Sequence, residues 1–251
     1  MSVKIALFIT CLADVFSPRS GIAMTRVLRR LGHQVDFPTD QTCCGQPLLN
    51  NGFAKDAARA ARAMCGVMEG YDAVVTASAS CASMIREHYP RLAAEHPDIL
   101  TEVAARRLVS HTFEFCEFML GRGGVPAGCR WDGVAAVHRS CHGRALGLTD
   151  EAERVLGRVE GLRLVGLANS EQCCGFGGTF SVKYPDLSAP MASDKVSALR
   201  ASGARWLVTG DTGCAMNIQG ACRRAGLVIG VRSVPEIIAE GLGLLPREGG
   251  A

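Results

Sequence analysis

The sequence predicts an α/β protein with two lobes related by a pseudo-twofold axis, each a mostly parallel sheet flanked by helices. Short apolar runs typical of buried strands alternate with helical stretches, a pattern that favours parallel strands joined by right-handed crossovers. The chain of 251 residues also repeats itself, which favours two domains over one. Because cysteines carry the repeat, the same residues indicate both the fold and the candidate site.

Each half of the chain has one early cysteine, one Cys-Cys-Gly segment and one late cysteine. Cys11 and Cys43 are separated by 31 residues, and so are Cys141 and Cys173. The late cysteines lie in matching segments, residues 75–85 and 208–218. Adjacent cysteines rarely serve core packing, because neighbouring side chains of a regular element point to different faces. Eight of the twelve cysteines follow this pattern and are the candidate ligands: Cys11, Cys43, Cys44, Cys81, Cys141, Cys173, Cys174 and Cys214.

The first half predicts alternating strands and helices. Residues 3–10 form an apolar run suited to a buried strand, which places Cys11 at its carboxyl end. Ser17 and Pro18 suit the cap and first turn of a helix that ends at Gly32. The other predicted elements are strands at 33–37 and 73–76, an alanine-rich helix at 53–68, a helix from about 82 to 88 and a helical region over 91–120.

The glycine-rich residues 121–128 form the predicted linker between two domains. We place the first cysteine-rich domain at residues 1–128, with its motif core at about 3–85, and the second at 129–251, with its core at about 133–218. The same patterns predict strands at 131–137, 162–167, 206–209 and 227–231 and helices at 150–159, 189–201 and 234–242.

Composition and charge argue against several classes of function. A net charge of +3 with both signs interspersed provides no basic stripe, and 6% aromatic residues offer little base stacking, so we expect no nucleic acid partner. We expect no transmembrane segment either, because no apolar run reaches the ~18–20 residues that span a bilayer. A chain of this size without a signal peptide predicts a cytoplasmic protein whose cysteines are metal ligands or redox thiols.

Four thiolates that meet at one point suit either tetrahedral zinc or an iron–sulfur cluster. Structural zinc sites usually contain short Cys-x-x-Cys segments, and neither copy has one, since Ser78 and Asp211 stand three residues before Cys81 and Cys214. The spacing therefore favours a cluster over zinc. A redox dithiol is a third possibility, because adjacent cysteines form only a strained, reducible disulfide.

The carboxyl ends of parallel strands meet at one edge of a sheet, where we expect the thiols of each lobe to gather. Free backbone amides at the helix starts there lower thiol pKa values and stabilise anionic sulfur. His138 and His142 flank Cys141 and are possible further ligands, although such histidines more often line a site or pack beside it.

The four remaining cysteines have no place in the repeat. Cys65 and Cys116 are predicted core residues. Cys129 and Cys222 lie near predicted surface segments and have no evident partner.

Over nearly its whole length the sequence resembles proteins with a duplicated cysteine-rich CCG domain. This group includes a subunit of heterodisulfide reductase and the iron–sulfur subunits of glycolate oxidase and anaerobic glycerol-3-phosphate dehydrogenase. The phrases at residues 41–47, 80–84, 173–185 and 210–218 are most similar to the lactate utilization protein A family.

That resemblance implies a role in bacterial oxidation of L-lactate to pyruvate by three proteins that act together. The chain would be an electron-transfer subunit that holds one or two iron–sulfur clusters of the [4Fe-4S] type. Its partners would be lactate utilization proteins B and C. It would be an oxidoreductase component that is not active alone.

Two departures from the relatives bear on this expectation. In heterodisulfide reductase the motif ends in Cys-x-x-Cys and five cysteines hold each noncubane cluster, whereas Ser78 and Asp211 leave four cysteines per site here, enough for an ordinary cubane. Arg139 stands where we expect Asp in relatives. Its positive charge near Cys141 could raise the reduction potential of a cluster, or its side chain could simply point to solvent. Two alternatives remain open, a thiol–disulfide reductase component like heterodisulfide reductase and a zinc-stabilised scaffold without catalysis.

Overall fold

The computed structural model describes residues 2–122 and 124–248 and contains two similar α/β lobes. Each lobe has a four-stranded sheet in which every strand pair is parallel. The predicted fold class is therefore confirmed.

The two sheets have the same strand order. In the first lobe the order is β2-β1-β3-β4, and in the second it is β6-β5-β7-β8, so the first strand of each lobe is central in both. The strands of the first lobe are β1 (Lys4–Leu7), β2 (Gln34–Asp36), β3 (Ala73–Thr76) and β4 (Thr112–Glu114). Those of the second are β5 (Arg130–Val137), β6 (Glu160–Leu164), β7 (Trp206–Val208) and β8 (Gly230–Arg232).

Helices connect successive strands in both lobes. The helices of the first lobe are α1 (Cys11–Phe16), α2 (Pro18–Arg30), α3 (Gln46–Asn50), α4 (Ala54–Val67), α5 (Ala79–Ser83), α6 (Tyr89–Glu95), α7 (Glu102–His111) and α8 (Phe115–Gly121), with a π-helical segment at Met84–His88. Those of the second are α9 (Cys141–Ala145), α10 (Glu151–Leu156), α11 (Phe180–Lys183), α12 (Pro185–Ser202), α13 (Thr212–Arg224) and α14 (Val234–Gly241). None of these helices, within residues 2–122 and 124–248, combines the length and the apolar character needed to cross a membrane.

Helix α2 shows how the local sequence sets these elements. Pro18 occupies its first turn, where a missing backbone N–H is tolerated. Met24, Val27 and Leu28 recur at helical spacing on its buried face. Gly32 follows the helix with φ +85°, a left-handed conformation that a glycine adopts at low cost.

The most important difference from the predicted elements is β4, which interrupts the region 91–120 that was predicted to be helical. Thr112, Phe113 and Glu114 pair with β3 in parallel register and are followed at once by α8. A strand of three residues between two helices has too little periodic pattern to be recognised, and it forms here because β3 offers an open edge. The last strand also differs, since β8 begins at Gly230 rather than at 227.

The lobes are joined because each packs one of its helices on the last helix of the other. Helix α2 packs against α14, and α10 packs against α8. Buried side chains from both lobes form one continuous apolar cluster that includes Met24, Phe115, Trp131 and Ile237. Neither lobe therefore has a complete core of its own.

A buried ionic cluster reinforces this contact. The side chain of Glu240 in α14 is fully buried and accepts hydrogen bonds from Arg19 of the first lobe at 2.9 Å, Arg232 at 3.0 Å and Trp131 Nε1 at 2.7 Å. Arg19 also contacts Glu236 at 3.7 Å. Such buried pairs are strongly coupled, because removal of one partner leaves a desolvated charge behind.

We predict that Glu240→Ala lowers the free energy of unfolding by about 3–5 kcal/mol, since Arg232 would keep a buried charge without its carboxylate. Urea denaturation of the purified protein measures the loss. The matched control is Glu102→Ala, which removes an exposed i,i+4 partner of Arg106 and should cost less than about 1 kcal/mol. Equal losses in the two variants would contradict the role given to Glu240.

Candidate metal centres

The four thiols of the first lobe lie just beyond the carboxyl ends of three adjacent strands. Cys11 begins α1 after β1, Cys43 and Cys44 lie in the loop after β2, and Cys81 is in α5 after β3. The Sγ atoms of Cys11 and Cys43 are 3.8 Å apart, and those of Cys44 and Cys81 are 3.4 Å apart. We call this group the first site.

The second lobe repeats the arrangement. Cys141 begins α9 after β5, Cys173 and Cys174 lie in the loop after β6, and Cys214 is in α13 after β7. The Sγ atoms of Cys174 and Cys214 are 3.0 Å apart, and the thiol of Cys141 is close enough to Cys173 for the two to shift each other's pKa. We call this group the second site. All eight cysteines are free thiols.

A glycine follows each cysteine pair because the backbone there is left-handed. Gly45 has φ +88° and Gly175 has φ +83°, values that other residues rarely adopt. A Cβ atom at Gly175 would also lie 2.7 Å from the backbone oxygen of Ser188, so space excludes a larger residue. The backbone N–H of Gly175 points to Cys173 Sγ at 3.4 Å and stabilises negative charge on it.

Later helices fix the carbonyl groups of the two loops. Tyr89 Oη donates to the carbonyl oxygen of Cys44 at 3.0 Å, and Asn217 Nδ2 donates to that of Cys174 at 2.8 Å. The cysteine pairs are thus held from both sides, by glycine conformation and by a side-chain donor.

In each site one thiol is acidic because two neighbouring thiols donate to it. Hydrogen bonds from Cys11 and then Cys44 lower the pKa of Cys43 to about 2, and hydrogen bonds from Cys141 and then Cys174 lower the pKa of Cys173 to about 2. The donors show the opposite effect, so the pKa of Cys11 is raised by its bond to Cys43 and then by burial. A soft cation would displace the shared protons and bind the thiolates, so these residues fit a thiolate-bound metal or cluster.

His138 lies beside the second site and differs from the other side chains around it. It is 3% exposed, and neither ring nitrogen has a hydrogen-bond partner among the described residues. A ring nitrogen and the Sγ atoms of Cys174 and Cys214 all lie within 4.8 Å of one another. Burial, followed by the charge of Lys195, lowers the pKa of His138 to about 4, so the imidazole is neutral at pH 7.

Lys195 in α12 is a second polar residue buried at this site. It has no exposed surface, and its Nζ donates to the backbone oxygen of Asn169. Burial lowers its pKa, while the thiols of Cys174, Cys214 and Cys173 oppose that shift. Negative charge on these sulfur atoms favours the protonated amine, which would place a positive charge close to the second site.

The two sites are linked by a hydrogen-bonded path between the lobes. Gln46 follows the first Cys-Cys-Gly segment, and its Nε2 lies 3.1 Å from His142 Nε2. His142 Nδ1 lies 3.6 Å from Cys141 Sγ. If the amide of Gln46 donates to Nε2, the proton of the neutral ring is on Nδ1 and points to Cys141.

The two residues that replace the first cysteine of a Cys-x-x-Cys segment meet at the lobe interface. Asp211 Oδ1 accepts from Ser78 Oγ at 2.6 Å and from Ser80 Oγ at 2.7 Å. The backbone N–H of Ser80 donates to the same oxygen at 3.1 Å. Both positions therefore have a structural contact.

A cavity of about 70 Å³ lies behind this contact, and His138, Glu114 and Asp211 are among its lining residues. Burial raises the pKa of Glu114 to about 8. Most of its lining is apolar, but Thr209 Oγ1 and Glu153 Oε2 also line it as buried atoms without a partner in the described part of the chain.

Arg139 does not extend freely into solvent. Its Nε donates to Glu153 Oε1 at 2.7 Å, and its Nη1 lies 3.5 Å from Glu171 Oε1. The two carboxylates offset its charge, so Arg139 supplies less positive potential to the second site than its sequence position suggests.

The expectation that Cys129 and Cys222 lie near the surface is wrong. Cys129 is 1% exposed and its Sγ lies 3.7 Å from the Ile238 oxygen, because α14 covers it. Cys222 is fully buried on the inner face of α13. Cys116 is buried as predicted, whereas Cys65 is half-buried at the edge of the core.

Comparison with known proteins agrees with the repeated architecture. The cysteine-rich domain CCG matches this chain twice, at residues 5–86 and 135–219. Lactate utilization protein A of Macrococcus caseolyticus is 42% identical over 238 residues, which cover 94% of this chain and 96% of that protein. The chain belongs to the lactate utilization protein A family. A second member, lactate utilization protein A 2 of Bacillus cereus (strain Q1), is 39% identical over 245 residues and covers 96% of this chain and 99% of its own.

A solved structure has a similar fold. A hypothetical protein from Helicobacter pylori superposes with a TM-score of 0.67 at 12% identity and covers 98% of this chain. The chain spans 49% of the length of that protein. At this identity the likeness concerns the fold alone.

In this chain, sequence reasoning missed Gln46 and Lys195 as neighbours of the thiols. Comparison of the two halves gives a signal for Gln46, because Phe176 follows the second Cys-Cys-Gly segment where Gln46 follows the first. Lys195 gives no such signal, since a lysine in an amphipathic helix usually faces solvent.

We predict that iodoacetamide labels Cys43 and Cys173 of metal-free protein faster than Cys65 at pH 6. The lowered pKa values keep the first two as thiolates, whereas burial raises the pKa of Cys65 to about 11 and keeps it protonated. Peptide mass spectrometry measures the three rates, with Cys65 as the half-buried control. Labelling of Cys65 at the rate of Cys43 would contradict the shared-proton arrangement.

Proposed function

We propose that this protein is an iron–sulfur electron-transfer subunit in a three-protein system that oxidises L-lactate to pyruvate, with lactate utilization proteins B and C as partners. One observation carries the proposal. In a member of the lactate utilization protein A family, eight free thiols lie in two groups at the carboxyl ends of parallel strands.

The donor set supports a cluster at each site. Four soft sulfur donors, of which one is already anionic, suit a [4Fe-4S] cluster. We propose that the ligands of the first site are Cys11, Cys43, Cys44 and Cys81, and that those of the second site are Cys141, Cys173, Cys174 and Cys214. When bound, a cluster supplies one-electron transfer. Helix starts, loop amides and Lys195 offset negative charge on the sulfurs, and the apolar side chains around Cys44 and Cys174 limit access of water.

Oxidation of lactate to pyruvate releases two electrons and two protons. The described residues include no pocket that we assign to lactate, so we propose that a partner removes the electrons from the substrate. The contact of Gln46 with His142 provides a covalent and hydrogen-bonded path between the first and second sites. We place the system in the cytoplasm, where unpaired thiols persist.

We predict that protein purified without oxygen contains iron and acid-labile sulfide in near-equal amounts, roughly four or eight of each per chain, with absorbance near 400 nm. Metal analysis and a visible spectrum test this. Stoichiometric zinc without sulfide would overturn the electron-transfer proposal and favour a zinc-stabilised scaffold.

We predict that Cys44→Ser and Cys174→Ser each remove roughly half of the visible absorbance, because each variant lacks a ligand of one site. The control is Cys65→Ser, which changes a half-buried cysteine outside both sites and should keep the full spectrum. Full absorbance in a variant with serine at 43, 44, 173 and 174 would refute the ligand assignment.

The link to lactate is tested with the reconstituted three-protein system. Lactate should bleach the visible absorbance of this chain only when proteins B and C are present, because electrons enter through them. Bleaching by a thiol or disulfide compound without lactate would instead favour a thiol–disulfide reductase.

A further inference from the structure

The two sites differ at one position that the pseudo-twofold axis makes equivalent. Phe8 precedes Cys11 by three residues, and His138 precedes Cys141 by three. The backbone N–H of Phe8 donates to the oxygen of Val75 at 2.9 Å, and that of His138 donates to Val208 at the same distance. Both side chains are buried, with 1% and 3% exposure. The first site therefore has a phenyl ring where the second has an imidazole.

An imidazole in this place needs a partner. A buried polar group without a hydrogen bond destabilises the folded state, a cost that Phe8 does not incur. The Ser170 carbonyl is near enough to raise the pKa of His138, but neither ring nitrogen reaches hydrogen-bond geometry with it or with any other group in the described part of the chain. One of these nitrogens lies within 4.8 Å of two proposed ligand sulfurs. A metal bound by those sulfurs would satisfy the nitrogen.

We propose that His138 binds the metal of the second site through a ring nitrogen in place of one of the four thiolates assigned above, so that this site has a mixed sulfur and nitrogen donor set while the first has sulfur donors alone. Where that metal is part of an iron–sulfur cluster, the inference rests on the proposed function. The same donor set also suits a single soft divalent ion.

A second difference between the lobes supports this assignment. Gly45 packs against Ala57 and Gly175 against Ser188, and the residues seven positions further along are Met64 and Lys195. Met64 provides an apolar thioether in the core of the first lobe, where its sulfur accepts from the backbone N–H of Thr42. Lys195 instead provides a buried positive charge beside the second site.

Both differences make the second site less negative than the first. A neutral histidine ligand contributes less negative charge than a thiolate and raises the reduction potential of a cluster. Lys195 acts in the same direction. Electrons that enter at the first site would therefore move to the second.

The direct test is pulsed EPR on reduced protein prepared with ¹⁴N- or ¹⁵N-labelled histidine. We expect a strong nitrogen coupling that changes with the isotope and is lost in His138→Phe, which installs the residue of the first lobe. The control is His33→Phe, a buried histidine on the far side of the first lobe beside Phe118, which should keep the coupling. A cluster without this coupling, or a coupling that survives in His138→Phe, would overturn the proposal.

A second test uses the metal alone and does not depend on a cluster. In metal-free protein with Cys43→Ser and Cys44→Ser, cobalt should bind the second site, and His138→Phe should lower its affinity at least about tenfold. His138→Cys, which restores a donor, should recover tight binding. Equal affinity with and without His138 would overturn the assignment and favour a water-bonded histidine facing the cavity.

The two tests separate this inference from the proposed function. Protein that lacks iron and sulfide but binds cobalt through His138 would refute the cluster and keep the ligand. Protein with two clusters and no nitrogen coupling would keep the function and refute the ligand.

Discussion

Both sites depend on one constraint, the common direction of the strands within each sheet. Because β1, β2 and β3 are parallel and adjacent, the segments that follow them emerge at one edge, and sulfur atoms far apart in sequence come within 4 Å of one another. The second lobe repeats this with β5, β6 and β7. The left-handed glycine after each cysteine pair then orients the pair so that its two sulfur atoms contact different cysteines. Without the parallel strands or without these glycines, the thiols would no longer lie close together.

Much of the fold could be predicted because its signals are local. Apolar runs such as residues 73–76 coincide with a strand, and Pro18 and Gly32 bracket a helix as expected. The strand β4 could not be predicted, since its three residues become a strand only by pairing with β3. The burial of Cys129 likewise comes from α14, which lies more than a hundred residues away in sequence.

The cysteines of the candidate sites could be predicted from spacing, whereas the side chains that make the sites unequal could not. His138 was visible beside Cys141, but its missing hydrogen bonds are a property of the packed interior. Lys195 looks like a solvated residue in sequence and is fully buried in the structure. Spacing in the cysteine repeat pairs His138 with Phe8, and their matching backbone contacts show that the two positions are equivalent in the fold.

The contact of Ser78 with Asp211 bears on the ancestry of the chain. Both residues lie three positions before the late cysteine of their lobe. In a symmetric dimer of a single ancestral lobe, the residue at this position would therefore have contacted the same residue of the second copy. An aspartate there would have faced a second aspartate, and two buried carboxylates so close cannot both ionise without a large penalty. Fusion of two copies into one chain frees the halves to diverge, so that a serine can donate to an aspartate. The joined core would have prevented separation of the halves from then on, because each supplies the helix that covers the other.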